Sequence, residues 1–195
     1  QNTSTNFLAP ELGANGSTNL GLGLGILYDN IHNAMNPRKG VYSEWAFLNY
    51  TEAFGSDFSF TSYITDNRLY QPLGKNRVLA AQVYGQFTAG EAPFNMLALM
   101  GGESLMRGYY LGRYRDQNLV AAQLEYRILP FSFSKKWGAS VFLATGQVYG
   151  TQTTFEWNAM LPTAGAGVRD LILPEKDIYT RIDLAVPREG SGVYF

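Results

Sequence analysis

Few residues in this chain are placed to make or break a covalent bond. Among 195 residues there is one histidine, His32, and no cysteine. Without thiols there is no disulfide framework, no thiolate metal site and no cysteine nucleophile. A lone imidazole supports no histidine metal cluster. His32 could act as the base of a serine hydrolase, the chemistry of a barrel phospholipase, but it lies in turn sequence among Asn and Met with no serine beside it. Gly21-x-Gly23-x-Gly25 has the wrong spacing for a dinucleotide fingerprint, and Gly101-Gly102 lacks the Lys-Ser/Thr of a phosphate loop. Glu44 and Glu125 could form a glycosidase pair on any β scaffold, yet two residues among sixteen acids carry no positional signal. No catalytic residue, cofactor or metal is assigned, and the chain is read as a non-enzyme. A formal charge of −1 with a pI near 5.9 gives no general attraction to nucleic acid.

The elements that would carry any site are strands. Leu20, Leu22, Leu24, Ile26 and Tyr28 alternate with Gly21, Gly23 and Gly25, a period of two. Leu79, Ala81, Val83 and Phe87 oppose Gln82, Tyr84, Gln86 and Thr88. Val120, Ala122, Leu124, Tyr126 and Ile128 oppose Gln123, Glu125 and Arg127, and Ile182, Leu184 and Val186 oppose Arg181 and Asp183. About eight strands are predicted, at 18–28, 40–50, 56–68, 77–89, 118–129, 137–149, 163–173 and 177–187, with a ninth candidate at 191–195. Alternation is less clean near 56–66 and 137–149 and poor near 40–50 and 163–173. Residues 1–17 read as a polar extension and 90–117 as one long loop within a single domain, 1–195. The polar start, Gln1 to Asn6, has neither the basic residues nor the apolar core of a signal peptide, and fits a mature or excised chain. No run of 18 apolar residues is present to form a transmembrane helix.

Short connections alternate with long ones, as in an up-and-down antiparallel sheet. All five lysines (Lys39, Lys75, Lys135, Lys136 and Lys176) fall in one set of connections, which such a sheet gathers on one rim. A bilayer explains the segregation, because a lysine on the lipid face at mid-membrane costs about 2–4 kcal/mol and almost nothing near the interface. Phe131, Phe133 and Trp137 sit beside Lys135 and Lys136, where an interfacial aromatic girdle would lie. In this reading the apolar stripes face hydrocarbon and the polar stripes face a lumen. A soluble or periplasmic all-β binding module would alternate too, but would seal its apolar stripes between two sheets.

The long connection contains Gly101-Gly102-Glu103-Ser104-Leu105-Met106-Arg107-Gly108-Tyr109-Tyr110, followed by Arg113-Tyr114-Arg115-Asp116. Here the chain resembles the bacterial surface-antigen superfamily of outer-membrane barrels, which includes the central subunit of the barrel assembly machinery and two-partner secretion transporters. Met106, Arg107, Gly108 and Tyr109 match the apolar-Arg-Gly-aromatic motif of the family's signature loop. Tyr28-Asp29, Asn33 and Pro37-Arg38-Lys39-Gly40 resemble a family strand-turn, with Ile31 and His32 where Arg and Asp are frequent. Phe142-Leu143-Ala144-Thr145-Gly146 resembles the strand that usually offers the loop arginine an acidic partner, but that position is Ala144. Ala164 to Arg169 and Arg181-Ile182-Asp183 resemble the last strands.

The likeness runs from about Gly21 to Phe195 and matches the C-terminal half of a barrel that normally has sixteen strands. It implies a transmembrane β-barrel, short or partial, acting in insertion, assembly or translocation of proteins at the outer membrane. Its partners would be outer-membrane lipid, unfolded outer-membrane proteins or other assembly subunits, and a second copy if the form is short. In the family, substrate handling occurs where the first and last strands meet, and the first strand has no counterpart here. A guanidinium folded into a lumen must be paired, and Glu125 and Asp183 on inward faces are the candidates for Arg107. Gly108 would allow a sharp turn and Tyr109 would pack the loop on the wall. Gly190, Val193 and Phe195 resemble the C-terminal recognition signal of outer-membrane barrels.

Overall fold

The computed structural model describes residues 12–188 and 190–194. Nine strands form one antiparallel sheet: β1 (Gly21–Asp29), β2 (Gly40–Tyr50), β3 (Phe60–Pro72), β4 (Arg77–Gly90), β7 (Asn118–Ile128), β8 (Trp137–Tyr149), β9 (Leu161–Leu173), β10 (Ile178–Pro187) and β11 (Gly192–Tyr194). Each pairs with its neighbours in chain order, skipping only β5 (Ala98–Met100) and β6 (Tyr114–Asp116), which form a small hairpin inside the long connection. Two short strands thus stand where one long loop was predicted, the apolar Ala98, Leu99 and Met100 pairing with Asp116, Arg115 and Tyr114. Among the described residues, the outer edges of β1 and β11 are unpaired, so the sheet curls without closing.

Two predicted boundaries move for one physical reason. Residues 18–20 and 56–57 bind each other instead of extending β1 and β3. Thr18 N donates to Asp57 Oδ2 (2.6 Å), Asp57 N to Thr18 O (2.9 Å) and Leu20 N to Ser56 Oγ (3.0 Å). Gly55, with φ 97°, ends the intervening turn in a conformation open to glycine.

Polarity is the reverse of a soluble sandwich. There is one layer, not two. Leu24 is 83% exposed and Leu184 59%, whereas Asp183 is 0% and Arg107 2% exposed. The convex face carries Leu22, Leu24, Ile26, Trp45, Val83, Leu143, Val168 and Val186; the concave face buries Asp66, Glu125, Ser140, Arg169 and Asp183. Concave polar groups pair in series: Arg68 with Asp66, Gln82 Nε2 to Asp66 Oδ1 (2.8 Å), and Gln123 Nε2 to Gln82 Oε1 (2.6 Å) and to Ser104 O of the long connection (2.8 Å). The thirteen residues of β8 reach about 40 Å, and a tilt of about 45° leaves about 30 Å of height, the thickness of a hydrocarbon core. Trp137 opens this strand beside Lys136, whose Nζ lies 5.9 Å from the indole. Tyr149 closes it against Phe155, which in turn meets Trp157. Aromatic side chains therefore bracket the band at both ends.

The poor alternation of 163–173 also has a cause. The inward positions of β9 include Gly165 and Gly167, opposite Phe142 and Asp183. A Cβ on Gly165 would come within 2.3 Å of the Phe142 ring, and one on Gly167 within 1.8 Å of Asp183 Oδ1. Bare backbone there lets large neighbours lie flat.

Placing an arginine at Leu143, mid-strand on the convex face, is expected to destabilise the folded protein in lipid vesicles by about 2–4 kcal/mol, against about 0–1 kcal/mol at Phe133 on the lysine rim. Urea unfolding of both variants measures the difference; equal effects would mean that the convex face does not meet hydrocarbon.

Candidate functional site

The 90–117 connection folds back into the concavity. Its tight point is at residues 106–108: Met106 adopts φ 57° and Gly108 φ 110°. A side chain at Gly108 would lie 3.0 Å from both Pro187 and Thr163, so this backbone both needs glycine's conformation and sits close to β9 and β10. Small residues on the wall make room for the loop. Ala121, Ala144 and Gly146 receive Met100, Met106 and Tyr109, which are fully buried, and Leu119 packs in the same cluster. Tyr109 also bonds through its hydroxyl to Pro162 O (2.8 Å), and its ring meets Tyr114 edge-on.

This seat aims Arg107 at two carboxylates. Its Nη1 donates to Asp183 Oδ2 (2.6 Å) and its Nη2 to Glu125 Oε2 (2.5 Å). The guanidinium lies over the Phe142 ring at 3.6 Å, with Nε buried and lacking a hydrogen-bond partner. Arg169 bridges the same two acids, reaching Asp183 Oδ1 through Nη1 and Glu125 Oε1 (3.2 Å) and Ser140 Oγ (2.7 Å) through Nη2. Arg127 Nε donates to Glu125 Oε1 (3.0 Å). Thr163 Oγ1 donates to Arg107 O (2.6 Å), and Tyr194 accepts from Gly108 N (2.8 Å). Four strands, β7 to β10, and the loop thus meet at one charge cluster.

The predicted loop residues Met106, Arg107, Gly108 and Tyr109 come together with Glu125 and Asp183. Ala144, where the family resemblance implies an acid, packs against the loop, and the arginine's contact with β8 is Phe142 two residues earlier. Arg169, Arg127, Ser140, Thr163 and Tyr194 were not anticipated. Arg169 had a signal, since it shares the parity of Gly165 and Gly167, but that face could be recognised only once the glycines were known to point inward. Of the C-terminal residues, Gly190 has φ 92°, Val193 is exposed and Phe195 lies outside the described residues. His32 is exposed on its turn, its ring 3.3 Å from Lys39 O. Among the described residues no cluster of three metal-binding side chains occurs.

A second anchor holds the rim where β5 and β6 sit. Burial pushes the Asp116 carboxyl up, but the amides of Gln117 and Thr151, the Thr151 hydroxyl and the Gln152 amide outweigh it and hold it below the ordinary carboxylate range. The 151–153 turn is thereby tied to β6, with Thr151 N 2.9 Å from Asp116 Oδ1.

Removing one member of a buried, hydrogen-bonded ion pair costs about 3–5 kcal/mol. Arg107→Ala is therefore expected to lower the heat resistance of the folded form on a semi-native gel by roughly 10 °C; unchanged mobility and melting would mean that the loop is not seated on the cluster. Because the folded pKa of Asp116 is depressed, its contribution is present at neutral pH and lost as pH falls through that value. The protection of the Thr151 and Thr153 amides, taken relative to their intrinsic exchange at each pH, should fall on acidification, and Asp116→Ala should show the low protection already at pH 7.

A model of the Omp85 superfamily domain matches residues 1–170. Among solved structures, the fold is similar to the crystal structure of BamA from Haemophilus ducreyi lacking POTRA domains 1-3, with a TM-score of 0.73 and 19% identity. That likeness covers 91% of this chain and 41% of the other, so the chain spans less than half the length of that relative. Among curated proteins none matches. With a family match over most of its length and an inverted, antiparallel sheet, the chain belongs to the Omp85 superfamily, the β-barrels of the bacterial outer membrane that serve protein assembly and translocation.

Proposed function

We propose that this chain forms the loop-bearing part of an outer-membrane barrel that assists insertion of other barrel proteins into the membrane, without covalent catalysis. The observation that carries this reading is the seat of Arg107: a loop tethered inside the lumen by a guanidinium shared between Glu125 and Asp183. Such a tether fixes the curvature of β7 to β10, because the two carboxylates stand on strands separated by β8 and β9. A wall held at fixed curvature keeps its free edge strand in one position beside lipid, where an incoming strand can pair with it. Met106, Gly108 and Tyr109 serve to place Arg107. Gly190 and Val193 lie in the terminal segment that brings Tyr194 to Gly108.

Partners on this reading are outer-membrane lipid, unfolded outer-membrane proteins and other assembly subunits. The edges of β1 and β11, unpaired among the described residues, require strand partners within a bilayer, where each unsatisfied backbone group costs several kcal/mol. Further strands of a longer chain or a second copy would both meet that need.

Vesicles containing the full-length protein are expected to speed folding of a urea-denatured outer-membrane barrel severalfold over empty vesicles, with Arg107→Ala losing most of the gain. Identical rates in loaded and empty vesicles would dismiss the insertion role and leave translocation within the same family.

A further inference from the structure

The ten-residue connection between β1 and β2 does not hang from the rim. Its stem prolongs the hairpin, with Asn30 N donating to Val41 O (3.1 Å) and Val41 N to Asn30 Oδ1 (2.6 Å). At its base, Gly40 (φ 123°) has Asn30 O only 2.7 Å from where a Cβ would stand, so the turn-back requires glycine. Beyond the stem the tip crosses the concave side to the opposite end of the sheet, the turn between β9 and β10. There Arg38 grips Asp177 with two parallel hydrogen bonds, Nε to Oδ2 (2.6 Å) and Nη2 to Oδ1 (2.7 Å). Its third nitrogen, Nη1, donates to Leu129 O (2.7 Å) at the end of β7. The Asp177 hydrogen bond raises the Arg38 pKa above its ordinary value, so the guanidinium keeps its charge. Asn36 Nδ2 adds a bond to Asp177 Oδ2 (2.9 Å), and Asn33 Nδ2 one to Lys176 O (3.2 Å). The Asn33 side-chain oxygen, Oδ1, in turn accepts from Met35 N (2.9 Å), shaping the tip.

The tip lies directly beneath the charge cluster. Met35, Asn36 and Pro37 face Glu125, Arg127 and Arg169 across a cavity of about 130 Å³. Asn36 is buried there, and Arg127 Nη1 reaches Pro37 O (3.4 Å). The concavity of the described sheet is therefore filled from two sides, by the Arg107 loop from one rim and by this connection from the lysine rim.

We propose that the β1–β2 connection is a strap that closes the lysine-rim end of the lumen against ions, with the Arg38–Asp177 pair as its fastening. The bidentate geometry suits this task, since one substitution on either side removes both bonds at once. The path it covers has a definite charge character. Arg107, Arg127, Arg169 and Arg181 share the carboxylates of Glu125 and Asp183. Arg181 also lies 3.9 Å from the Glu103 carboxylate, so four guanidiniums against three carboxylates leave one positive charge in excess, and current through the opened path is carried mainly by anions.

The test is conductance of the full-length protein in planar bilayers. Arg38→Ala and Asp177→Ala should each raise single-channel conductance severalfold, with a reversal potential in a KCl gradient that reports chloride preference. These 195 residues contain no cysteine, so, with any cysteine elsewhere in the full-length protein replaced by serine, Asn36→Cys/Asp177→Cys can be bridged by a short bis-methanethiosulfonate without background. This double variant lacks the ionic grip and should conduct before bridging, fall silent on bridging and conduct again on reduction. The comparison is made within one folded molecule, so it stands even where a single variant inserts poorly. Conductance that ignores bridging and reduction, or a released current that prefers cations, overturns the proposal.

Discussion

A guanidinium buried where water is scarce has to be matched, and the concave side of this sheet is arranged around that demand. Arg107 is supplied with two carboxylates and an aromatic face, and Arg169 occupies the remaining oxygens of the same two acids. The match sets conditions far from the loop. Gly167 must lack a side chain for Asp183 to reach both arginines, and Gly165 must lack one for Phe142 to lie flat under the guanidinium. Met106 and Gly108 must take positive φ for the loop to present Arg107 inward. Ala121, Ala144 and Gly146 must be small for Met100 and Met106 to approach the wall. A chain that kept the arginine but enlarged any of these would have a buried charge and no geometry to satisfy it.

The convex side obeys a different constraint. Its side chains meet hydrocarbon and need only be apolar and of the right height, so Leu, Ile, Val and Trp recur there without close complementarity. This division explains why the chain looks unremarkable in bulk: 46% hydrophobic residues with a mean hydropathy of −0.14 average a greasy face and a charged one. It also explains the lysines. Each sits in a connection on one rim, where its ammonium reaches water, whereas arginine is used inside because its planar fork can serve two carboxylates at once. A lysine at position 107 would offer a point charge to two acids on different strands and hold neither in a fixed direction.

Strand positions, the phase of their faces and the rim carrying lysine were legible because a two-residue period leaves a direct trace in the sequence. The trace fades where a strand uses glycine inward, as at Gly165 and Gly167, and where an irregular segment captures residues that look strand-like, as Thr18 and Asp57 do for each other. The Met106-Arg107-Gly108-Tyr109 motif and the acids Glu125 and Asp183 were legible as types: a charge inside, and acids of inward parity to meet it. Arg169, Ser140 and Tyr194 were not, since nothing local separates a wall residue that touches the loop from one that faces water.

By itself, then, the sequence determined which residues share a face, because side-chain direction along a strand follows from residue parity alone, while the lysine rim and the loop motif, not the alternation, pointed to the polar face as the inner one. Tertiary structure alone decided which charges share a partner, that Phe142 rather than residue 144 receives the arginine, and that Arg38 of the first connection reaches Asp177 of the last. Those pairings depend on how far the sheet curls, and curl is a sum of small twists over nine strands that no local pattern records.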